Sequence, residues 1–463
     1  MRCMLLPGAI LVAGLFAFGS DCARAADVTW KAGTAKAVIT PKEPMWMAGY
    51  ASRTRPGDGV LHELYVRVLA IEDAQGKRAV VLSSDLLGIP RSISENVTRA
   101  LRDKFGLSRD EIMLNASHTH SGPALRGALY DAYPLDKAEI KRIEAYSAGL
   151  EATIVRTVGE ALGRMVPATL ARGEGSTDFA VNRRNNREPD VPELRARHAL
   201  RGPSDHSVPV LAVHGLDDGK LLAVLFAYAC HNTTLGIQQW NGDYAGFAET
   251  TLEEAHPGAV ALFCMGCGAD QNPIPRRTIE LCRKYGRMMS DAVAAVLARP
   301  LRRLSPKLQT VYETVPLELG AVPSRDVLKS LVADQKTPAY IQRWASRLLK
   351  EMDAGRPFTR TYPYPVEVWL LGGKQLWIAL GGEVVVDYDL RFKGRYGADA
   401  WVTSYANDVM AYIPSLRVLR EGGYEGNTSM MVYGMPAERW SESIEETIAA
   451  TVDRLVQNVE SAK

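Results

Sequence analysis

Apolar positions along the chain fall into short runs separated by polar, glycine-rich turns, and the period of the runs switches repeatedly between two and three to four. Residues 35–40, 64–72 and 77–84 alternate or cluster β-branched and apolar side chains, which predicts strands. Residues 94–105 and 138–165 place apolar side chains three and four apart, which predicts amphipathic helices, with 111–115 a short strand between them. The same grammar returns in the middle of the chain. Residues 208–214 and 220–229 read as a hairpin around Asp217-Asp218-Gly219, followed by a helix over 244–255, a strand over 259–263 and a helix over 277–297. Residues 324–354 are helical and charged, 366–371 pairs with 375–380 across Gly372-Gly373, and 436–460 reads as one closing helix. No repeat, low-complexity tract or Ser/Gly linker interrupts this alternation. The expected fold class is therefore α/β, of the mixed α+β kind, with central mixed sheets flanked by helices in one continuous domain.

The first residues follow a different pattern. Arg2 precedes an apolar stretch over 4–18 that ends at Ala23-Arg24-Ala25, the small-x-small sequence of a cleaved secretion signal. Residues 1–25 are expected to be that signal and 26–463 the mature, secreted or periplasmic protein. The apolar stretch is shorter than the roughly 20 residues of a spanning helix and has no counterpart downstream, so no transmembrane anchor is expected. The formal charge of +2 becomes +1 once Arg2, Asp21 and Arg24 are removed, which gives no electrostatic basis for nucleic-acid binding. Losing Cys3 and Cys22 leaves Cys230, Cys264, Cys267 and Cys282, which admit zero, one or two disulfides. Cys264 and Cys267 have CxxC spacing without a second such pair, so a buried or bridged pair competes with a metal or redox role.

Candidate chemistry sits where apolar strands run out. Asn115-Ala116-Ser117-His118-Thr119-His120-Ser121-Gly122-Pro123 passes from strand to loop, and His-x-His on extended backbone projects two imidazoles toward one space. Two hydrogen-bonded histidines in a turn is the competing reading. His231 ends the apolar run Phe226-Ala227-Tyr228-Ala229-Cys230, where an imidazole needs a partner. Glu383 follows 377–382, whose two glycines admit close backbone approach and whose surroundings make an unpaired carboxylate costly. A nearby cation removes that cost. Asp243, in Asn241-Gly242-Asp243-Tyr244, lies at an element end, where a cap or turn role competes with a place in the substrate site.

These segments, together with Val181-Asn182-Arg183, Gly266-Cys267-Gly268-Ala269-Asp270-Gln271-Asn272-Pro273, Gly382-Glu383, residues 407–412 and Tyr424-Glu425-Gly426, resemble the neutral/alkaline ceramidases over residues 35–434. Those enzymes are zinc amidases with a mixed α/β catalytic domain. The resemblance implies Zn2+ held by His118, His231, Glu383 and Tyr412, with His120 transferring a proton to the leaving amine. It also implies that Arg183 and Tyr412 face the substrate oxygen. Without the resemblance, Tyr412 reads as a packing aromatic. Asp270 and Asn272, with Asp243, are candidate substrate-binding residues, and a structural loop role competes for the first two.

Two departures bear on chemistry. The ceramidases proper carry a serine, assigned as a nucleophile, where this chain has Asn272, so the expected reaction here is direct attack by metal-activated water on an N-acyl amide. The resemblance also ends before the immunoglobulin-like domain of the larger members, leaving 26–463 as the expected catalytic domain. N-acylsphingosine or a related small or lipid-like N-acyl compound is the expected substrate. The alternative is a zinc hydrolase of the same fold acting on a non-ceramide ester or carbohydrate-type substrate.

Overall fold

The computed structural model describes residues 29–461; the expected signal, with Cys3 and Cys22, lies outside the described residues. The first half of the chain supplies strands β1 (Trp30–Val38), β2 (Tyr65–Glu72), β3 (Arg78–Ser84), β4 (Ile112–Ala116), β5 (Val166–Ser176), β6 (Ala180–Asn182), β7 (Ser207–Gly215) and β8 (Leu221–Tyr228). The second half supplies β9 (Val260–Met265), β10 (Gln271–Pro273), β11 (Arg302–Leu304), β12 (Leu308–Glu318), β13 (Thr361–Leu371), β14 (Gln375–Leu380), β15 (Glu383–Val384), β16 (Trp401–Thr403) and β17 (Tyr412–Ile413). A main sheet runs β4-β3-β2-β1-β5-β7-β8-β9, with β11 added to β5, and a second sheet runs β12-β13-β14-β16. Two small pairs, β6 with β10 and β15 with β17, flank the junction between them.

The main sheet is antiparallel except at its ends, where β3 pairs parallel with β4 and β8 parallel with β9. Parallel pairs need a crossover, and the helices Arg91–Phe105 and Asp243–Ala255 supply the two. Being covered on both faces, β4 and β9 are buried along their whole length, as parallel strands usually are. The sheet curls until its ends meet. Asn115 Oδ1 of β4 accepts the Met265 N–H of β9 at 2.9 Å, and the Ser83 hydroxyl of β3 donates to the Phe263 carbonyl of β9. The carboxyl ends of β4 and β8, the strands that precede His118 and His231, thereby open at one place, and Thr119 bridges Asn232.

Packing around the sheets follows from the side-chain period of each element. Val97 and Leu101 of helix Arg91–Phe105 and Ile143, Leu150, Ile154 and Val158 of helix Lys137–Gly163 pack on Val66, Val68, Val80 and Leu82. In β13, Trp369 faces the main sheet beside Trp377 and Trp401, the last two stacked at 4.5 Å, while Val366, Val368 and Leu370 face the other way. Helix Ile444–Ser461 covers that far face. No helix among the described residues is long and apolar enough to cross a membrane.

Three expectations change. β5 and β12, each of 11 residues, lie in stretches not assigned as strands, because Pro167, Gly173, Gly175 and Pro316 interrupt them. The closing helix begins at Ile444 instead of 436, because Trp440 is held extended, bridging Leu319 and donating its indole N–H to the Tyr412 carbonyl at 2.8 Å. Cys230, Cys264, Cys267 and Cys282 are all free thiols and buried.

Candidate metal centre

His118 leaves β4 with φ 62°, a left-handed conformation that turns its ring back over the strand end. Its Nδ1 lies 2.6 Å from the Leu87 carbonyl, and His231 Nδ1 lies 2.7 Å from the Gly268 carbonyl. A carbonyl accepts only, so both Nδ1 atoms carry the proton and both Nε2 atoms present lone pairs. Those lone pairs face one carboxylate oxygen: Glu383 Oε2 is 3.1 Å from His118 Nε2 and 3.2 Å from His231 Nε2. All three residues are buried.

The remaining neighbours complete a cage. His120 Nε2 is 3.0 Å from His118 Nε2, and the Tyr412 hydroxyl is 3.2 Å from His231 Nε2. The ligand atoms of His118, His120 and His231 all lie within 4.8 Å of one another. Tetrahedral ligands at about 2.0–2.1 Å from a zinc ion stand about 3.3 Å apart, close to the spacings seen here. Three acceptor atoms at this separation, with no proton between them, repel unless a cation sits among them. The donor set therefore fits a divalent metal, and the carbonyl partners of His118 and His231 are the outer hydrogen bonds that orient metal-bound imidazoles.

Glu383 reaches this point through a close approach of two strands. Gly382 has φ 72°, and a Cβ there would stand 2.7 Å from Ile413 Cγ1 and 2.8 Å from the Ala411 carbonyl. Without side chains, the 381–382 turn lets β15 pair parallel with β17, setting Glu383 directly across from Tyr412. The carboxylate is then fixed by two tyrosines: Tyr405 donates to Oε2 at 3.2 Å and Tyr433 donates to Oε1. Burial, followed by the charge of Arg183, depresses His231 to about 4, and burial with the two other histidines holds His120 well below its ordinary value.

Arg183 spans the mouth of the cage. It donates Nη2 to the Tyr412 hydroxyl at 3.1 Å, Nη1 to Asn272 Oδ1 at 3.2 Å and Nε to Glu425 Oε1 at 2.7 Å. β6 and β10 pair Asn272 with Val181, which places Arg183 and Asn272 side by side. Asp270 stands behind them. Its oxygens accept from the Val386 N–H at 2.9 Å and from Asn182 Nδ2 at 3.1 Å, its carbonyl accepts the Arg183 N–H, and burial pushes its pKa up to about 6.

His118, His120, His231, Glu383, Tyr412, Arg183 and Asn272 thus form one connected group, with Asp270 in its supporting wall. Asp243 is not in contact with them. Its buried carboxylate accepts the N–H groups of Thr234, Leu235 and Tyr244, fixing the turn that follows His231, and burial raises its pKa. Tyr405 and Tyr433 escaped the sequence reading, as did Tyr50, whose ring lies 4.7 Å from His120. None of the three carries a motif. Glu425, which pairs with both Arg183 and Arg184, lies in a recognised segment but had no assigned part.

Comparison with known proteins agrees with this architecture. Residues 30–274 match the family model for the N-terminal part of neutral/alkaline non-lysosomal ceramidase. The neutral ceramidase of Pseudomonas aeruginosa is 29% identical over 264 residues, which are 54% of this chain and 38% of that protein. Neutral ceramidase B of Dictyostelium discoideum is 26% identical over 216 residues, 45% of this chain and 29% of that protein. The matches thus span less than two fifths of these relatives' own length. The crystal structure of the Pseudomonas aeruginosa neutral ceramidase superposes with a TM-score of 0.68 at 18% identity, covering 94% of this chain and 74% of that one. A ceramidase complexed with C2 gives 0.69 at the same identity, covering 94% and 75%. A family model that accounts for more than half of the chain, joined to the same fold across nearly all of it, leads to one conclusion: this protein belongs to the neutral/alkaline non-lysosomal ceramidase family.

Proposed function

We propose that the protein is an exported, zinc-dependent amidase that hydrolyses an N-acyl amide, with residues 26–463 forming one catalytic domain. The observation that carries this reading is the meeting of His118 Nε2, His231 Nε2 and Glu383 Oε2 at 3.1 and 3.2 Å, acceptor against acceptor, in a buried cage. His118, His231, Glu383 and Tyr412 would hold the ion. A zinc ion bound there supplies Lewis-acid polarisation of an acyl carbonyl and a water acidic enough to react near neutral pH.

The chain's own residues supply the rest. The Arg183 guanidinium, anchored by Glu425, stands beside the Tyr412 hydroxyl and stabilises negative charge developing on the acyl oxygen, an effect typically worth about 3–4 kcal/mol. His120 is the proton carrier to the leaving amine. Its ring touches the cage through His118 and lies against Tyr50 away from it, which supports a proton carrier at the edge of the site. Asn272 offers an amide, with Oδ1 turned to Arg183, and has no hydroxyl to acylate. Water therefore attacks directly, and Asn272 positions Arg183 and the substrate oxygen.

Metal content by plasma mass spectrometry, read with hydrolysis of a fluorogenic N-acylsphingosine before and after chelation, tests the reading. About one zinc per chain and chelator-sensitive cleavage are expected, and His118→Ala should lose both together. A well-folded protein without bound metal, or full activity in His118→Ala, would overturn it.

A further inference from the structure

Behind Tyr50, the neighbour of His120, lies a concavity of about 280 Å³ whose chemistry the amidase mechanism does not use. Arg53, Arg55 and Arg277 line it, with Tyr50 and the hydroxyls of Ser52 and Thr54, and its lining contains no carboxylate. Arg55 is neutralised by Asp58. Among the described residues Arg53 has no acidic partner, and Arg277 has no carboxylate within ion-pair distance, its nearest acidic influence being Glu188, which Arg276 already pairs. Arg53 is buried, and its hydrogen bonds go to neutral oxygens: the His120 carbonyl at 2.7 Å, the Ile237 carbonyl at 3.0 Å and the Gln238 side chain. Its Nε has no partner, and burial lowers its pKa. A buried guanidinium without a counter-charge is costly, and an arriving anion removes that cost.

Arg277 approaches from the opposite side. Its backbone has φ 96°, a strained value for a residue with a side chain, and is held by the Arg277 N–H donating to the Thr234 carbonyl at 2.7 Å. That conformation lays the guanidinium over Gly236, where a Cβ would stand 3.2 Å from Arg277 Nη1, and beside the Tyr50 ring, 5.8 Å from its centroid. Arg53 lies 5.4 Å from the same ring. Two cations thus flank one aromatic ring whose neighbour, at 4.7 Å, is His120.

We propose that this concavity is an anion subsite for the amine half of the substrate, so that the preferred substrate is an N-acyl amine carrying a carboxylate, sulfate or phosphate. This rests on the amidase reading, in which His120 serves the leaving amine. The pocket shares Tyr50 and Arg53 with the surroundings of that histidine, and this shared wall is the ground for assigning it to the amine half. Tyr50 separates the anion from the cage, and the planar guanidiniums offer paired N–H donors suited to an oxyanion.

The test has two arms on the full-length protein. In the first, inorganic sulfate is titrated calorimetrically into wild type, Arg277→Ala and Arg277→Lys, each with and without chelator. Binding is expected in wild type regardless of chelation, weakened about tenfold in Arg277→Ala and only partly restored in Arg277→Lys, which keeps the charge and loses the paired donors. Sulfate that fails to bind, or binds Arg277→Ala as well as wild type, overturns the subsite. In the second arm, kcat/KM is compared for N-lauroylglycine and its neutral isostere N-lauroylglycinamide. Wild type should favour the acid about tenfold, and the ratio should fall toward one in Arg277→Ala. Sulfate binding without an acid preference in turnover overturns the assignment to the substrate. Sulfate binding with neither compound nor the fluorogenic N-acylsphingosine cleaved rejects the amidase reading of the cage and leaves the anion site standing, whereas cleavage of N-acylsphingosine alone overturns the assignment to the substrate.

Discussion

At the scale of single residues, the cage is held by contacts that share no local sequence signal. Glu383 has one oxygen facing the histidines and the other held by the Tyr433 hydroxyl. That bond fixes which oxygen meets the metal. Tyr433→Phe should therefore weaken metal binding about tenfold while leaving the ligands in place, as removal of outer-shell hydrogen bonds commonly does. Competition against a chromophoric chelator measures it, and an unchanged affinity would show that packing alone positions the carboxylate. His231 and Glu383 were legible because each ends an apolar run, where a polar side chain needs a reason, and His118 and His120 because His-x-His stands where a strand gives way to a loop. Tyr412 was legible through resemblance only, since a tyrosine beside apolar residues has the composition of a packing residue. Tyr405, Tyr433 and Tyr50 reach the cage across long stretches of chain, a relation no window of sequence contains. Asp243 shows the converse: its place at an element end was visible, and its partners there are three backbone N–H groups.

At the scale of elements, the two sheets are joined through the edge of β4. The Asn407 N–H donates to the Leu114 carbonyl at 2.7 Å, its Oδ1 accepts the Leu114 N–H at 3.1 Å, and its Nδ2 donates to Glu367 Oε2 on β13 at 2.7 Å. Glu367 also accepts from the Trp369 indole. Burial pushes the Glu367 pKa up to about 8 and that of Asp408 up to about 7. A carboxyl whose pKa is raised by folding contributes stability that is complete below its unfolded value and is lost as pH rises through the folded one. These two groups should therefore lower the melting temperature between about pH 5 and about pH 8.5, and Glu367→Gln should shrink that difference, costing stability at the acid end and less or none at the alkaline end. Differential scanning calorimetry of the two proteins across that range decides it; an identical pH dependence would remove Glu367 as a cause. Most strands and helices were readable from period alone. β5 and β12 were not, because proline and glycine weaken a strand's local signal, and both are secured by long ladders to β7 and β13.

At the scale of the whole molecule, the candidate ligands come from two parts of the fold: His118 and His231 from beyond β4 and β8 of the main sheet, Glu383 and Tyr412 from the separate pair β15 and β17, which follows β14 and β16 of the second sheet in the chain. A metal bound there ties the main sheet to the second one and should stabilise the fold as a ligand does, by about 4 kcal/mol when present at a thousandfold excess over its dissociation constant. Chelation should lower the melting temperature by several degrees and readdition of zinc should restore it. Equal midpoints would mean that the cage contributes nothing to joining the sheets. The curling of the main sheet, which sets the ends of β4 and β8 together, has a consequence for how the protein acquires its ion. The first pair of histidines meets only after β9 has closed the curl, and the last ligand follows the entire second sheet in order of synthesis. Before that only the local pair His118 and His120 is in place. An ion taken up by such a cage would then be set by what is available where the whole fold completes.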